Sequence, residues 1–242
     1  MNCSIINSPI IKDHYGIKVV RDDLLPGGTK SILLASIDNP AINEFVYASP
    51  VYGGFQIAIS IYCKSVGKKA TIFCAKRNVM HPNTLKCVEH GATIVEVPYG
   101  YLSVIEKKAR EYCEGKPATH KIVFGASTDE NKLLIKNRVL DAITLLGQEP
   151  NEIWCAVGSG TLISGILLAV SEKVKVFGVQ VGADFKDPSN NSNLTIIKYP
   201  KSFDKESKLK IDFPSMPNYD LKAFETCLQQ RGGGLVLFWN VL

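Results

Sequence analysis

The sequence predicts an α/β protein with mainly parallel sheets and helices on both faces. From residue 45 onward, short runs rich in β-branched and aromatic residues alternate with stretches of helical periodicity. Strands that alternate with helices of this length are typical of βαβ units, and right-handed crossovers place the helices on both faces of the sheet. The chain has 242 residues, 45% hydrophobic and 21% charged, which is ordinary for a globular protein.

The predicted elements follow one another in a regular order. The strands are FVYAS (45–49), ATIFCA (70–75), ATIVEV (92–97), KIVFGA (121–126), IWCAV (153–157), VKVFGVQV (174–181) and LVLFWNV (235–241). Helices are predicted over GGFQIAISIYCKSVG, HPNTLKCVEHG, LSVIEKKAREYCEG, residues 129–146, LISGILLAVSE and residues 219–230. Leu133, Leu140 and Ile143 mark the apolar side of the long helix. Residues 183–210, rich in Asn, Ser, Lys and Asp, are expected to form a loop.

Composition and spacing disfavour several classes of protein. No apolar run approaches the roughly 20 residues that span a bilayer, and the N-terminus MNCSIINSPIIKDHYG lacks the pattern of a secretory signal. The cysteines form no CxxC pair and the histidines are dispersed, so no metal site is expected. Buried thiols in a reducing, cytoplasmic compartment are expected for Cys63, Cys74, Cys87, Cys113 and Cys155. A net charge of +5 on scattered lysines favours an anion-binding enzyme over a nucleic-acid-binding face.

The stretch RDDLLPGGTK (21–30) has the features of a turn that presents a lysine. Pro26-Gly27-Gly28 forms the turn, and Thr29-Lys30 can open the helix that follows. A glycine pair lets the backbone approach a ligand closely. Desolvation favours the neutral amine, which is the form that reacts with an aldehyde. Lys30 is therefore a candidate catalytic residue, and an ordinary exposed lysine after a turn is the alternative.

Two further stretches lie where a strand passes into a helix. Ligands of open α/β sheets bind at such positions, and the backbone N–H groups of a helix start favour an anion. SPVYGG (49–54) could bind a carboxylate in this way, although a plain βα turn explains it equally well. GSGTLISG (158–165) could hold a phosphate with its backbone and with the hydroxyls of Ser159 and Thr161. Tight packing of helix on strand is the alternative for the second stretch, which has neither Walker A nor GxGxxG spacing.

Together these stretches resemble the fold type II pyridoxal-phosphate (PLP) enzymes, the tryptophan synthase β-like group. RDDLLPGGTK is similar to the lysine motif of aminocyclopropane-carboxylate deaminase and D-cysteine desulfhydrase. The family's substrate-carboxylate loop, small-lobe segment and phosphate loop resemble SPVYGGFQIAISIYCKSVGKKATIFC, TLKCVEHGATIVEV and GSGTLISGILLA. The resemblance spans roughly residues 18–181.

The resemblance implies a fold, a cofactor and a site. Residues 1–45 and 126–242 would form a larger lobe with the phosphate loop, and residues 46–125 a smaller α/β lobe. Lys30 would form the internal aldimine with pyridoxal 5'-phosphate. The phosphate would be held by Gly158, Ser159, Gly160 and Thr161, and the substrate carboxylate would meet Ser49, Tyr52 and Gly53. The implied activity is elimination or deamination of an amino acid or an amine-bearing metabolite, in a homodimer.

Three departures from the family pattern leave other functions open. Val51 stands where the family commonly has an Asn that touches the cofactor ring oxygen, and the phosphate loop lacks one glycine of the usual form. The C-terminal part is expected to be shortened, and Asn240 is the only candidate we identify from the sequence for the partner of the pyridine nitrogen. The alternatives are a non-catalytic protein with this fold, a protein that binds another phosphate such as a nucleotide, and a bacteriophage-type enzyme acting on amino-acid adducts of DNA bases. Decarboxylation and β-replacement remain open as reactions.

Overall fold

The structure, a computed structural model, describes residues 8–98, 100–182, 185 and 190–242. The N-terminal segment 1–7 and residues 183–184 and 186–189 of the expected loop lie outside the described residues. The chain divides into two compact units. One consists of Leu25–Ala126, and the other of Met1–Leu24 together with Ser127–Leu242.

Strands and helices alternate along most of the chain. The strands are β1 (Ile11–His14), β2 (Ile17–Arg21), β3 (Glu44–Ala48), β4 (Lys69–Ala75), β5 (Thr93–Val97), β6 (Thr119–Lys121), β7 (Glu152–Val157), β8 (Lys175–Gln180), β9 (Leu194–Lys198) and β10 (Val236–Asn240). The helices are α1 (Thr29–Ile37), α2 (Phe55–Ser65), α3 (Pro82–Glu89), α4 (Leu102–Cys113), α5 (Asp129–Leu146), α6 (Thr161–Ala169) and α7 (Asp220–Gln230).

Each unit contains one sheet. The sheet of the 25–126 unit has the order β5-β4-β3-β6 and is parallel throughout. The other sheet has the order β1-β2-β10-β7-β8-β9 and is parallel except for the pair β1–β2. This arrangement confirms the predicted α/β class with mainly parallel sheets.

Strand β7 shows why helices lie on both faces of the larger sheet. All six of its residues are buried, as expected for a parallel strand covered on both sides. Trp154 belongs to a core cluster that includes Phe224 of α7. On the opposite face, Val157 of β7 and Ile163 of α6 both lie against Gly178 of β8. A Cβ at Gly178 would come within 2.7 Å of each of these side chains.

The structure corrects the apolar side predicted for the long helix. Leu133 and Leu140 are 53% and 39% exposed. The buried positions of α5 are instead Asn131, Ile135, Arg138, Val139 and Ala142. Ile135 packs against Gly165 of α6, where a Cβ would lie 2.4 Å from its side chain. Two of the five buried positions are polar. The hydrophobic periodicity of the sequence does not mark such positions as buried, and it therefore indicates the wrong face of the helix.

Other boundaries also differ from expectation. The strand predicted at 121–126 is Thr119–Lys121, because the chain turns through positive φ at Gly125 and Ala126. The loop expected over 183–210 contains β9, which pairs in parallel with β8. The hairpin β1–β2 precedes the first strand that the pattern predicts. Cys113 is only partly buried, whereas Cys63, Cys74, Cys87 and Cys155 are buried as expected, and so is Cys227.

The first boundary between the units lies at residue 24, earlier than the expected residue 45. Helix α1 belongs to the 25–126 unit because the turn before it packs on α2. A Cβ at Gly27 would lie 2.7 Å from the carbonyl oxygen of Ala58 in α2. Lys30 is therefore part of the same unit as the SPVYGG loop.

Within the described residues, no helix is long and apolar enough to cross a bilayer. The same residues contain no cluster of His, Cys, Asp and Glu side chains that could hold a metal ion.

A buried ion pair joins three distant segments of the larger unit. Asp22, in the turn after β2, is fully buried, and Nε of Arg138 in α5 lies 3.0 Å from both of its carboxylate oxygens. The indole Nε1–H of Trp239 in β10 donates to the same carboxylate at 3.0 Å. Beside it, the Arg21 guanidinium donates twice to Asp23 at 2.8 Å. The first three residues of RDDLLPGGTK thus have structural partners.

Arg138→Met should destabilise the protein by about 3–5 kcal/mol, because it removes the guanidinium that is paired with the buried Asp22 carboxylate. The free energy of unfolding in urea, followed by circular dichroism, measures the loss. Arg110→Met, at an exposed position of α4, is the matched control and should change stability by no more than about 0.5 kcal/mol. Equal small effects of the two substitutions would contradict the importance of the pair.

Candidate functional site

The turn before α1 requires glycine at two positions. Gly27 and Gly28 have φ of 90° and 71°, values that residues other than glycine rarely adopt. Gly27 also lies so close to the Ala58 carbonyl that a Cβ would collide with it. Gly28 is the N-cap of α1, and its carbonyl accepts the Ser31 hydroxyl at 2.8 Å. The turn is therefore fixed, and Lys30 occupies the second position of the helix.

Lys30 is half-buried and lies against an aromatic ring. Its Nζ is 4.1 Å from the ring centroid of Phe55, the first residue of α2. Phe55 packs edge-on against Tyr47 of β3, with ring centroids 5.0 Å apart. A cation over a ring face is attracted by the ring quadrupole. The backbone turn and this ring together restrict where the amine can point.

The SPVYGG loop is a tight turn between β3 and α2. The Gly53 N–H and the Ser49 hydroxyl both donate to the Pro50 carbonyl at 2.9 Å. The Tyr52 ring meets the His81 ring edge-on at 4.8 Å, and the Arg77 guanidinium lies 5.3 Å from its centroid. Ser49 and Gly53 are close together, because a Cβ at Gly53 would lie 3.4 Å from Ser49 Oγ. Their role, with Tyr52, at a substrate carboxylate stays a prediction.

The GSGT loop lies at the carboxyl end of β7, directly before α6. Gly160 is the N-cap and has φ of 84°, in the left-handed region. Ser159 Oγ and Thr161 Oγ1 are 3.2 Å apart, so both hydroxyls are on one side of the loop. The first N–H groups of a helix have no acceptor within it. The loop therefore combines backbone donors, two hydroxyls and the positive end of a helix dipole, which suits a phosphate.

Two aromatic residues pack on the glycines of this loop. A Cβ at Gly158 would lie 3.1 Å from the Tyr219 hydroxyl, and one at Gly160 would lie 2.2 Å from the ring of Phe185. Burial, with the negative charge of Asp220 as a smaller cause, raises the pKa of Tyr219, while a hydrogen bond to the Gly158 backbone acts in the opposite direction. Tyr219 therefore stays a neutral phenol at the base of the loop.

Tyr219 and Asp220 were not predicted as site residues from the sequence. Asp220 is fully buried at the first position of α7, and its Oδ2 accepts the Leu242 N–H at 3.2 Å. Its charge also raises the pKa of Cys155 in β7, although burial is the larger cause. The signal in the sequence was weak: an acidic residue in the first turn of a helix is common for helix-dipole reasons alone.

Asn240 has other partners in the structure. Its Nδ2 donates to the Pro214 carbonyl at 2.9 Å, and its Oδ1 accepts the Ser215 hydroxyl at 2.8 Å. The residue is fully buried. Both ends of the amide thus hold the segment 214–215 against the end of β10.

A comparison with protein families decides the identity of the chain. Residues 28–209 match the family described as pyridoxal-phosphate dependent enzyme. The chain belongs to this family of PLP-dependent enzymes. No curated protein matches the sequence at a significant level.

Solved structures of similar fold support the same conclusion. An aminocyclopropane-carboxylate (ACC) deaminase homologue matches with a TM-score of 0.79 at 17% identity, over 98% of this chain and 90% of the other. O-ureido-L-serine synthase matches with a TM-score of 0.70 at 13% identity, over 98% of this chain and 88% of the other. A hydrogen sulfide-producing enzyme from Fusobacterium nucleatum matches with a TM-score of 0.69 at 13% identity, over 98% of this chain and 93% of the other. At such identities the likeness shows the fold, and the chain spans most of the length of each.

The residues of this PLP-dependent enzyme fit the cofactor of its family. A phosphate needs a dense set of donors, and the loop 158–161 combines the backbone N–H groups of a helix start with the hydroxyls of Ser159 and Thr161 on one side. An aldehyde needs an amine of fixed position, and Lys30 is held beside Phe55 after a glycine turn.

Proposed function

We propose that the protein is a PLP-dependent lyase or deaminase that acts on an amino acid or a related amine. The observation that carries the proposal is the glycine turn that presents Lys30 beside Phe55, in a motif that resembles the deaminase and desulfhydrase branch. When bound, PLP supplies an electron sink for negative charge at the substrate Cα. The protein must then supply the anchor, the anion sites and a base.

Each part of the chain has a separate role in this proposal. Lys30 would attach the cofactor through Nζ and would accept the proton that leaves the substrate Cα. Gly158, Ser159, Gly160 and Thr161 would hold the phosphate by their N–H groups and hydroxyls. Ser49, Tyr52 and Gly53 would hold the substrate carboxylate, which fixes the amino acid for proton removal.

The names of the structural neighbours include both kinds of reaction. One is described as an ACC deaminase homologue and another as a hydrogen sulfide-producing enzyme. O-ureido-L-serine synthase, a cystathionine β-synthase and an O-acetylserine sulfhydrylase are named for synthetic reactions. The proposal of elimination or deamination therefore rests on the lysine motif.

We assign the partner of the pyridine nitrogen to Asp220 rather than to Asn240. A carboxylate stabilises a protonated ring nitrogen, which strengthens the electron sink. Asp220 is buried and follows Tyr219, whose ring contacts Gly158 of the phosphate loop. The Asn240 amide is bonded to Pro214 and Ser215.

The Lys30→Ala variant should lose the visible absorption band that appears when PLP binds covalently to the parent protein. Borohydride reduction followed by peptide mass spectrometry should place the cofactor on Lys30 in the parent. Lys64→Ala, at an exposed position of α2, is the matched control and should keep the band. The parent should also release ammonia from one or more members of a panel of L- and D-amino acids. A band of parental strength in Lys30→Ala would refute the assignment.

Replacing Ser159 and Thr161 together by Ala should weaken PLP binding by roughly two to four orders of magnitude. Two charge-assisted donors are lost, each worth about 1.5–3 kcal/mol, at about 1.4 kcal/mol per tenfold. The covalent band should still form at high PLP concentration, because Lys30 and the backbone donors remain. Titration of the band with PLP measures the affinity. An unchanged affinity would mean that GSGT is only a packing turn.

Asp220→Asn should lower the rate of product formation by at least about tenfold, which corresponds to about 1.4 kcal/mol of transition-state stabilisation. It should leave the covalent band in place. The amide keeps the size of the side chain but no longer stabilises a protonated ring nitrogen. Asn240→Asp serves as the comparison, because it removes the hydrogen bond to the Pro214 carbonyl. It should lower the free energy of unfolding in urea. If Asp220→Asn turned over at the parental rate, the ring nitrogen would have another partner.

A further inference from the structure

Four consecutive carbonyls of the SPVYGG loop accept hydrogen bonds from two side-chain amides. Nε2 of Gln56 donates to the carbonyls of Val51, Gly53 and Pro50 at 2.9, 3.0 and 3.3 Å. Nδ2 of Asn83 donates to the Tyr52 carbonyl at 3.1 Å. Both amides are at least nine-tenths buried. Each of the four peptides between residues 50 and 54 is thus bonded to a buried side-chain amide.

Gln56 is itself fixed from behind. It is fully buried in the first turn of α2, and its Oε1 accepts the Thr84 hydroxyl at 3.5 Å and the Cys87 thiol at 3.7 Å. Three carbonyls on one side of the amide and two donors on the other leave no doubt about which end is nitrogen. The side chain therefore cannot turn away without leaving buried carbonyls unsatisfied.

The orientation of the carbonyls determines where the loop N–H groups point. The part of the chain that the structure describes has no cis peptide bond, and in a planar trans peptide the N–H points opposite to the C=O. The peptides that Gln56 holds carry the N–H groups of Val51, Tyr52 and Gly54. The peptide that Asn83 holds carries the Gly53 N–H, which is used in the turn to Pro50. Gln56 thus controls the three N–H groups outside that turn.

We propose that Gln56 is a positioning residue that turns the N–H groups of Val51, Tyr52 and Gly54 toward the carboxylate of the substrate. Successive N–H groups that converge in a turn form an anion-binding concavity. The inference rests on the proposed function, because it takes SPVYGG as the carboxylate loop.

The test uses the PLP-loaded protein and glycine as the probe, because glycine has an α-carboxylate and an amine but no side chain to eliminate. Binding is read from the change that glycine causes in the visible spectrum of the bound cofactor. Gln56→Met keeps the length of the side chain and removes its donors. We expect it to keep the covalent band and to weaken glycine binding by about ten- to a hundredfold, equivalent to about 1.4–2.8 kcal/mol.

Two further variants separate positioning from packing. Ser60→Ala removes a buried hydroxyl one turn along α2, which donates to the Gln56 carbonyl at 2.7 Å, and should leave glycine binding within about twofold of the parent, less than about 0.5 kcal/mol. Asn83→Ala should weaken glycine binding less than Gln56→Met does. It frees only the peptide between Tyr52 and Gly53, whose N–H already donates to the Pro50 carbonyl. Amide hydrogen exchange at residues 51–54 should be faster in Gln56→Met than in Ser60→Ala.

The outcomes distinguish this inference from the proposed function. If the parent shows the Lys30 band but glycine leaves it unchanged, the loop is no carboxylate site and the inference fails, while the lysine assignment stands. Parental glycine affinity in Gln56→Met would also overturn it. If the parent shows no band, the proposed function fails, and equal exchange at 51–54 in Gln56→Met and Ser60→Ala would then sink the positioning role as well.

Discussion

The buried carboxylate of Asp22 is the constraint on which the larger unit depends. A charge without contact to water must be compensated, and here Arg138 and Trp239 compensate it. Their segments are more than a hundred residues away in the sequence, yet all three must meet for the charge to be buried at acceptable cost. The same Asp22 begins the turn that leads to Gly27 and Lys30 along the chain.

The two units each contain the same kind of strand–loop–helix element, which we propose binds an anion in each case. In one, β3 leads through SPVYGG into α2, and in the other β7 leads through GSGT into α6. Both loops lie at the carboxyl end of a parallel strand, where helix N–H groups accumulate. They reach an open donor surface in different ways. GSGT uses glycines and a left-handed N-cap, whereas the carbonyls of SPVYGG are bonded to Gln56 and Asn83.

Local signals in the sequence predicted the helices, the position of both loops and most strands, but not β1, β2 and β9. Gly27, Gly28 and Gly160 indicated the turns correctly, because each has a positive φ and glycine is the residue that adopts a positive φ most readily. Features that depend on burial of polar groups were not predictable in this way. Asn131 and Arg138 lie on the buried face of α5, and Gln56 looks like any polar residue at a helix start. Asp220 was missed for the same reason, since only tertiary packing makes it a buried carboxylate.

The position of β10 has a consequence for how the protein is made. This strand, residues 236–240, lies between β2 and β7 in the middle of its sheet. During synthesis β2 and β7 leave the ribosome before their common neighbour exists, so their facing edges stay open until residues 236–240 have been translated. The other sheet has all its strands by residue 121. The nascent chain must therefore carry a half-built sheet with exposed strand edges, a state that is prone to aggregation and is a substrate for chaperones.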